Sequence, residues 1–262
     1  MTFIRVLQSI HIMNITDIRF SNNKGLTLAG RIYSGDSPSK NGVIFCHGLF
    51  SSKDAYKLVQ MSHGIVAAGF NVLSFDFSFA GDSGGDFSDF SILQEVEDLR
   101  SAVRFFLDTG ITNLHLIGSS MGGVVLLLFA SESFPQIKSL SVIATPVKLY
   151  ELLGKLTNIS DFGALPVDGM TPIDGVKVKN TFFREVLSID MINHMAKIKT
   201  PVLILHGEHD DVVDFSNAHL ISQSIPAVQR VVLVQDGNHH LTRPSDIRIL
   251  QHNIISWMLQ HS

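Results

Sequence analysis

Six short runs of the chain are apolar at nearly every position: GVIFC (42–46), NVLSFDF (71–77), NLHLIG (113–118), SLSVIAT (139–145), PVLILHG (201–207) and RVVLVQ (230–235). Runs this short, without polar alternation, read as strands buried on both faces. Two earlier segments, ITDIRF and LTLAGRIYS, alternate polar and apolar residues as strands with one wet face do. Stretches of helical period lie between the runs. In SILQEVEDLRSAVRFFL, Ile92, Val96, Leu99, Val103 and Phe106 share one face. Strands alternating with helices predict an α/β fold, a mostly parallel eight-stranded sheet flanked by helices, with ligands at the carboxyl ends of the strands.

One interval breaks the rhythm. From about 147 to 195 the text is irregular, with short helical pieces around IDGVKVKN, where Asp174 and Gly175 suit a tight hairpin turn. A long excursion with secondary structure of its own is expected to be an inserted cap or lid on a single domain. The 262 residues, 45% of them hydrophobic, suffice for one large core. The first residues read as a lead-in to the first strand rather than a cleaved signal.

Charge narrows the function classes. Lys and Arg number 20 against 24 Asp and Glu, a net charge of -4 without a basic run, which argues against nucleic acid or an anionic membrane surface as partner. No run approaches the roughly 20 apolar residues of a membrane span. The single cysteine, Cys46, lies inside an apolar run and reads as a buried, inert thiol, consistent with a reducing, cytoplasmic setting. The sequence leaves monomer or homodimer open.

The strongest chemical signal is LIGSSMGGVVLLLFA, in which Gly118, Ser120 and Gly122 form G-x-S-x-G between a strand and a helix. In that setting the pattern is a nucleophile elbow, because a sharp strand-to-helix turn leaves no room for flanking side chains. The plainer alternative is a Gly/Ser turn capping a helix. A serine nucleophile needs a base, an acid to orient it and oxyanion donors. In such a fold the order is Ser, acid, His. Asp210, in the loop after PVLILHG, is the best-placed acid, with Glu208, Asp211 and Asp214 as neighbours that could equally be solvated caps. The oxyanion donors are expected at the backbone of Met121 and of Leu49, with His47 a structural residue of the latter's loop. Either His239 or His240, in DGNHHLT, can stand at the base position.

Taken together, VIFCHGLFSSKD, FDFSFAGDSGGDF, GSSMGG, PVLILHGEHDDVVD and DGNHHLTRPSDI resemble the α/β-hydrolase superfamily over nearly the whole chain. The resemblance is strongest to small-lid serine esterases of the feruloyl and cinnamoyl type and related acyl hydrolases. It implies a Ser120–Asp210–His239 triad, because the family's Gly-Asp-His-Arg-Leu-Ser loop sets His239 at the histidine and His240 at the arginine. It implies a carboxylesterase acting through an acyl-enzyme on a small-molecule ester. There are departures. Ser78 and Phe79 stand where Arg-Gly is usual, so a bulky ring occupies a glycine position, and Met121 stands where the feruloyl esterases often carry Gln.

The rivals are weaker. His206, His209 and Asp210 invite a metal, but their spacing matches no helical ligand pair, and no metal or organic cofactor is called for. A non-enzymatic binding protein on the same fold usually lacks a triad member, and a dehalogenase would carry Asp as nucleophile. A thioesterase, acyltransferase, peptidase or lipid hydrolase would use the same triad. For substrate binding, Phe50, Phe79, Phe182 and Phe183, with Phe87 and Phe90 nearby, suggest an apolar acyl pocket; the alternative is that they pack lid against core.

Overall fold

The structure is a computed structural model that describes residues 13–262; the expected lead-in lies outside them. Strands β1 (Asn14–Ser21), β2 (Thr27–Ser34) and β3 (Asn41–Cys46) precede helix α1 (Tyr56–Ala67), β4 (Asn71–Phe75), α2 (Ile92–Asp108), β5 (Asn113–Ser119), α3 (Met121–Ala130) and β6 (Ile137–Ile143). The excursion then supplies α4 (Leu149–Thr157), β7 (Met170–Ile173), β8 (Val176–Lys179), α5 (Thr181–Ser188) and α6 (Met191–Met195). The chain returns with β9 (Val202–Gly207), α7 (Ser216–Ser224), β10 (Gln229–Val234) and α8 (Pro244–Gln260).

Eight of the strands form one sheet in the order β1-β2-β4-β3-β5-β6-β9-β10. The alternating β1 and β2 make the antiparallel end, and from β4 onward every pairing is parallel. All six apolar runs became strands. The inner ones are buried on both faces, but β10 is an edge, where Val231 and Leu233 are exposed at 38% and 45%. Uniform apolarity therefore did not distinguish an inner strand from a rim strand.

Two apolar layers sandwich the sheet. On one face α1 and α8 bury Met61, Ile65, Leu250 and Trp257; on the other, α2 and α3 bury Leu99, Phe106, Leu126 and Phe129. The stripe read along α2 is the face it buries, and Ser91 caps the helix by accepting from the Gln94 N–H at 3.1 Å.

The excursion runs from β6 to β9. Its hairpin turns on Asp174 (φ 48°) and Gly175 (φ 79°), the double positive φ of a type I′ turn. Glu185 on α5 reaches the N-terminus of α2 and accepts from the Ser91 hydroxyl (2.6 Å) and the N–H groups of Ile92 (2.7 Å) and Leu93 (3.2 Å). A carboxylate at that positive helix end is favourable, and it ties the excursion to the sheet domain.

Candidate active site

The turn between β5 and α3 is held by sterics. A Cβ on Gly118 would lie 2.5 Å from the Gly122 carbonyl oxygen and 2.7 Å from Gly123 Cα, and one on Gly122 would run into the Cys46 and His47 carbonyls. Only glycine lets α3 start this close to β3 and β5. Ser120 is left at φ 53°, ψ −122°, a strained backbone for a residue with a side chain. Its N–H donates to the Ile143 carbonyl at 2.8 Å, which anchors the turn to β6.

The loop after β9 holds Asp210, whose side chain is 1% exposed. Its Oδ1 accepts from the N–H groups of Val212 (3.0 Å) and Val213 (2.8 Å). Its Oδ2 lies 2.9 Å from His239 Nδ1 and 3.3 Å from His206 Nε2. Burial pushes the Asp210 carboxyl up, but hydrogen bonds from His206, His239 and Val213 outweigh it and hold the group below the ordinary carboxylate range. From the loop after β10, His239 presents Nε2 3.2 Å from Ser120 Oγ. Serine, imidazole and carboxylate thus form one hydrogen-bonded line, an arrangement in which the carboxylate holds the Nδ1–H tautomer and leaves Nε2 facing the hydroxyl.

The neighbouring candidates lie elsewhere. His240 is exposed, its ring centroid 5.7 Å from that of His239, and neither Ser120 nor Asp210 bonds to it. Asp214 accepts from the Ser216 N–H at the start of α7 (2.9 Å), and Glu208 accepts from the Asp236 N–H in the loop after β10 (3.1 Å), so both serve local backbone. Asp211 is exposed. Glu208, His209 and Asp236 form an exposed cluster that leaves out His206 and Asp210, two of the three residues that had suggested a metal.

Met121 begins α3, so its N–H has no intrahelical acceptor, and the Leu49 N–H bonds to no described residue. His47 shapes the Leu49 loop. The Phe77 N–H donates to its Nε2 at 3.2 Å, which leaves the proton on Nδ1 to donate to the Gly48 carbonyl at 2.9 Å, and burial lowers the ring's basicity. The loop is pinned further by buried Asp76, which accepts from the Lys53 N–H (2.6 Å) and ammonium (3.0 Å).

Two cavities meet at Ser120 and His239. One, of about 350 Å³, is walled by Leu49, Phe50 and Met121 on the sheet side and by Leu152, Leu156 and Ile173 of the excursion. The other, of about 230 Å³, opens toward α1. Of the phenylalanines expected at the acyl pocket, only Phe50 lines the larger cavity. Phe182 and Phe183, at 1% and 0% exposure, are the buried face of α5, packed against Phe90 and Phe162. The Phe79 ring lies over the bare backbone of Gly85. These three are corrected from pocket-lining to packing residues, because a helix face and a loop return that cover a sheet domain need apolar filling first. The sequence reading missed Lys57, which lines the smaller cavity, and weighed His206 only as a metal ligand, not as the ring behind Asp210.

The profile of the alpha/beta hydrolase family matches residues 43–247, a span holding Ser120, Asp210 and His239. The chain belongs to the alpha/beta hydrolase family. Among this family's members, palmitoyl-protein thioesterase ABHD10, mitochondrial, from Bos taurus is 24% identical over 91% of this chain and 79% of that protein. Est1E from Butyrivibrio proteoclasticus, solved with ferulic acid bound, superposes with a TM-score of 0.84 at 20% identity, covering 93% of this chain and 98% of that one. Alpha/beta hydrolase domain-containing protein 10 from mouse superposes at 0.75 with 22% identity, covering 94% and 100%. No helix among the described residues is long and apolar enough to cross a membrane.

Proposed function

We propose that this alpha/beta hydrolase cleaves carboxylic esters or thioesters with Ser120 as nucleophile, His239 as base and Asp210 as its orienting acid. The observation that carries the reading is the unbroken line from Asp210 through His239 to Ser120 Oγ at 2.9 and 3.2 Å. Ser120 Oγ bonds to the acyl carbon as its proton passes to His239 Nε2, and the oxyanion forms between the Met121 and Leu49 N–H groups. The bond to the leaving oxygen or sulfur then breaks, and His239 returns the proton to it. Water, activated by the same histidine, releases the acid and restores the serine.

The cavity of about 350 Å³ takes the acyl group, and the excursion over 147–195 acts as its lid. Its volume lies in the lower part of the range for small-molecule sites, which fits short to medium or aromatic acyl groups. The likeness to Est1E with its ferulic acid favours the ester, and that to the thioesterase ABHD10 the thioester.

The test is fluorophosphonate labelling beside a p-nitrophenyl ester chain-length series, on wild type, Ser120→Ala, Asp210→Asn, His239→Ala and His240→Ala. Labelling vanishes in Ser120→Ala, and kcat falls about a thousandfold or more in His239→Ala but far less in His240→Ala. A Ser120→Ala protein that still labels, or equal losses for the two histidines, overturns the assignment.

A further inference from the structure

The smaller cavity at Ser120 differs in chemistry from the acyl side. Beside apolar Leu49 and Leu58 its lining includes Ser51, Ser119, Thr242, His240 and Lys57, a more polar wall than the larger cavity's, and no carboxylate is among its lining residues. Lys57 is 8% exposed and makes no hydrogen bond or ion pair with any described residue. It sits in the first turn of α1, which has neither a capping side chain nor an acidic residue there to answer its orphan N–H groups. An ammonium is unfavourable at that positive helix end, and an unpaired charge at this depth is costly. Burial accordingly pulls the lysine down to about 8, against the pull of the more distant Asp210. Position on the helix sharpens the anomaly, since Lys57 stands four residues before Met61 and eight before Ile65 on the apolar stripe. A lysine there gains nothing from packing that methionine or leucine would not supply better.

Because the two cavities share Ser120 and His239, an ester held at the serine divides between them. The apolar cavity receives the acyl half, so the polar one receives the alcohol or thiol half. Resting on the esterase reading, we propose that the cavity at Lys57 binds a leaving group bearing a carboxylate or phosphate, whose charge pairs with the Lys57 ammonium and the open N-terminus of α1. Lys57 is then a specificity residue for the leaving group and takes no part in proton transfer. The anion supplies the counter-charge that the fold withholds, in the setting where helix N-termini most readily hold one.

The experiment uses three butyrate esters that share an acyl group and a benzylic alcohol: those of para-(hydroxymethyl)benzoate, para-(hydroxymethyl)phenyl phosphate and para-(hydroxymethyl)benzamide. In wild type kcat/KM for at least one charged ester exceeds that for the amide by about tenfold, the scale of a charge-assisted hydrogen bond. Which charged ester leads tells carboxylate from phosphate. The ratio falls several-fold in Lys57→Met, leaving only the smaller share of the α1 N-terminus, and largely survives in Lys57→Arg, and as a ratio within each variant it is unaffected by partial loss of folded enzyme. Calorimetric titration of the free benzoate, phosphate and benzamide alcohols into Ser120→Ala reads the same preference without chemistry, so it decides the proposal even where no ester is cleaved. Equal binding of charged and neutral alcohols, or a charge preference undiminished in Lys57→Met, overturns it.

Discussion

In Glu185→Ala the N-terminus of α2 loses the carboxylate that now closes it, and the size of the effect follows from who inherits each donor. Ser91 still serves the Gln94 N–H. Leu93 is 48% exposed, so its N–H passes to water. Ile92 is 0% exposed, and its N–H is left buried without an acceptor, which costs about 1–3 kcal/mol. Losing a negative charge from the positive helix end adds about 0.5 kcal/mol. A partial offset comes from Glu95, whose proton affinity is raised first by burial, then by Asp98 and then by Glu185. The expected net cost is about 2 kcal/mol, measured by urea unfolding. Glu185→Gln keeps an acceptor for the Ile92 N–H and loses only the charge, for about 0.5 kcal/mol. The Phe90–Phe182 ring contact at 5.1 Å and the exposed Lys179–Asp89 pair remain, so α5 loosens rather than leaves. Hydrogen exchange then reports α5 amides opening about thirtyfold more often in the Ala variant. Equal costs for Gln and Ala, or a cost under about 0.5 kcal/mol for Ala, would refute the capping argument.

Two further outcomes are expected. Glu95 is 4% exposed, its Oε2 bonds to no described residue, and its carboxyl is held well above the ordinary range by burial first and then by Asp98 and Glu185. The folded state therefore binds a proton here that the unfolded state releases, and the stability this group contributes is lost as pH rises above about 4.5, at no more than about 1.4 kcal/mol per pH unit. Glu95→Gln abolishes that slope, so unfolding at pH 4, 5.5 and 7 shows the variant gaining on wild type with pH; a pH-independent difference contradicts the assignment. Phe79, at φ 74°, should invert the usual order of small residues: Phe79→Gly exceeds Phe79→Ala in stability by about 1 kcal/mol, because both lose the ring but only glycine relieves the backbone. Thermal unfolding of the pair decides it, and a more stable Ala variant refutes it.

The elements were legible where one physical rule governs them. Uniform apolarity found all six parallel strands, period found the buried face of α2, and Asp174-Gly175 found the hairpin turn. The elbow was legible because sterics leave only glycine two residues to either side of Ser120. Choosing His239 over His240 was not a matter of spacing. It rested on family resemblance, and the two differ in the structure only through which ring the β10 loop turns toward Asp210. The phenylalanines misled because aromatic residues near a site serve both packing and binding, and composition cannot tell which way a helix face is turned. Lys57 did leave a signal, a cation on the apolar stripe of α1, visible once Met61 and Ile65 are aligned with it.

The least legible feature is also the most systematic. Six residues with side chains adopt positive φ beyond the carboxyl ends of sheet strands: Phe50 after β3, Phe79 after β4, Ser120 after β5, Ala144 after β6, and Asp236 and Leu241 after β10. Each such residue costs about 1–2 kcal/mol, so the set rivals the net stability of an ordinary domain. Such strain persists only where the surroundings over-determine it. Five of the six N–H groups are tied down here: Phe79 to the Gly84 carbonyl (3.0 Å), Ser120 to Ile143 (2.8 Å), Ala144 to Leu205 (2.9 Å), Asp236 to Glu208 Oε2 (3.1 Å) and Leu241 to Asn238 Oδ1 (3.1 Å). Phe50 is the exception, and it is the one whose side chain is exposed and lines the larger cavity. A reader of sequence looks for glycine at a left-handed turn and finds none at these positions, because the requirement arises from the assembled sheet. The reversals bend each connection back across the carboxyl edge, which brings Leu49, Ser120 and His239 from three separate loops to one point. Relieving one reversal with glycine, as at Phe79, therefore recovers backbone strain that alanine would keep while loosening the aim of its loop, and the reversal at Ser120 is the one the proposed chemistry can least do without.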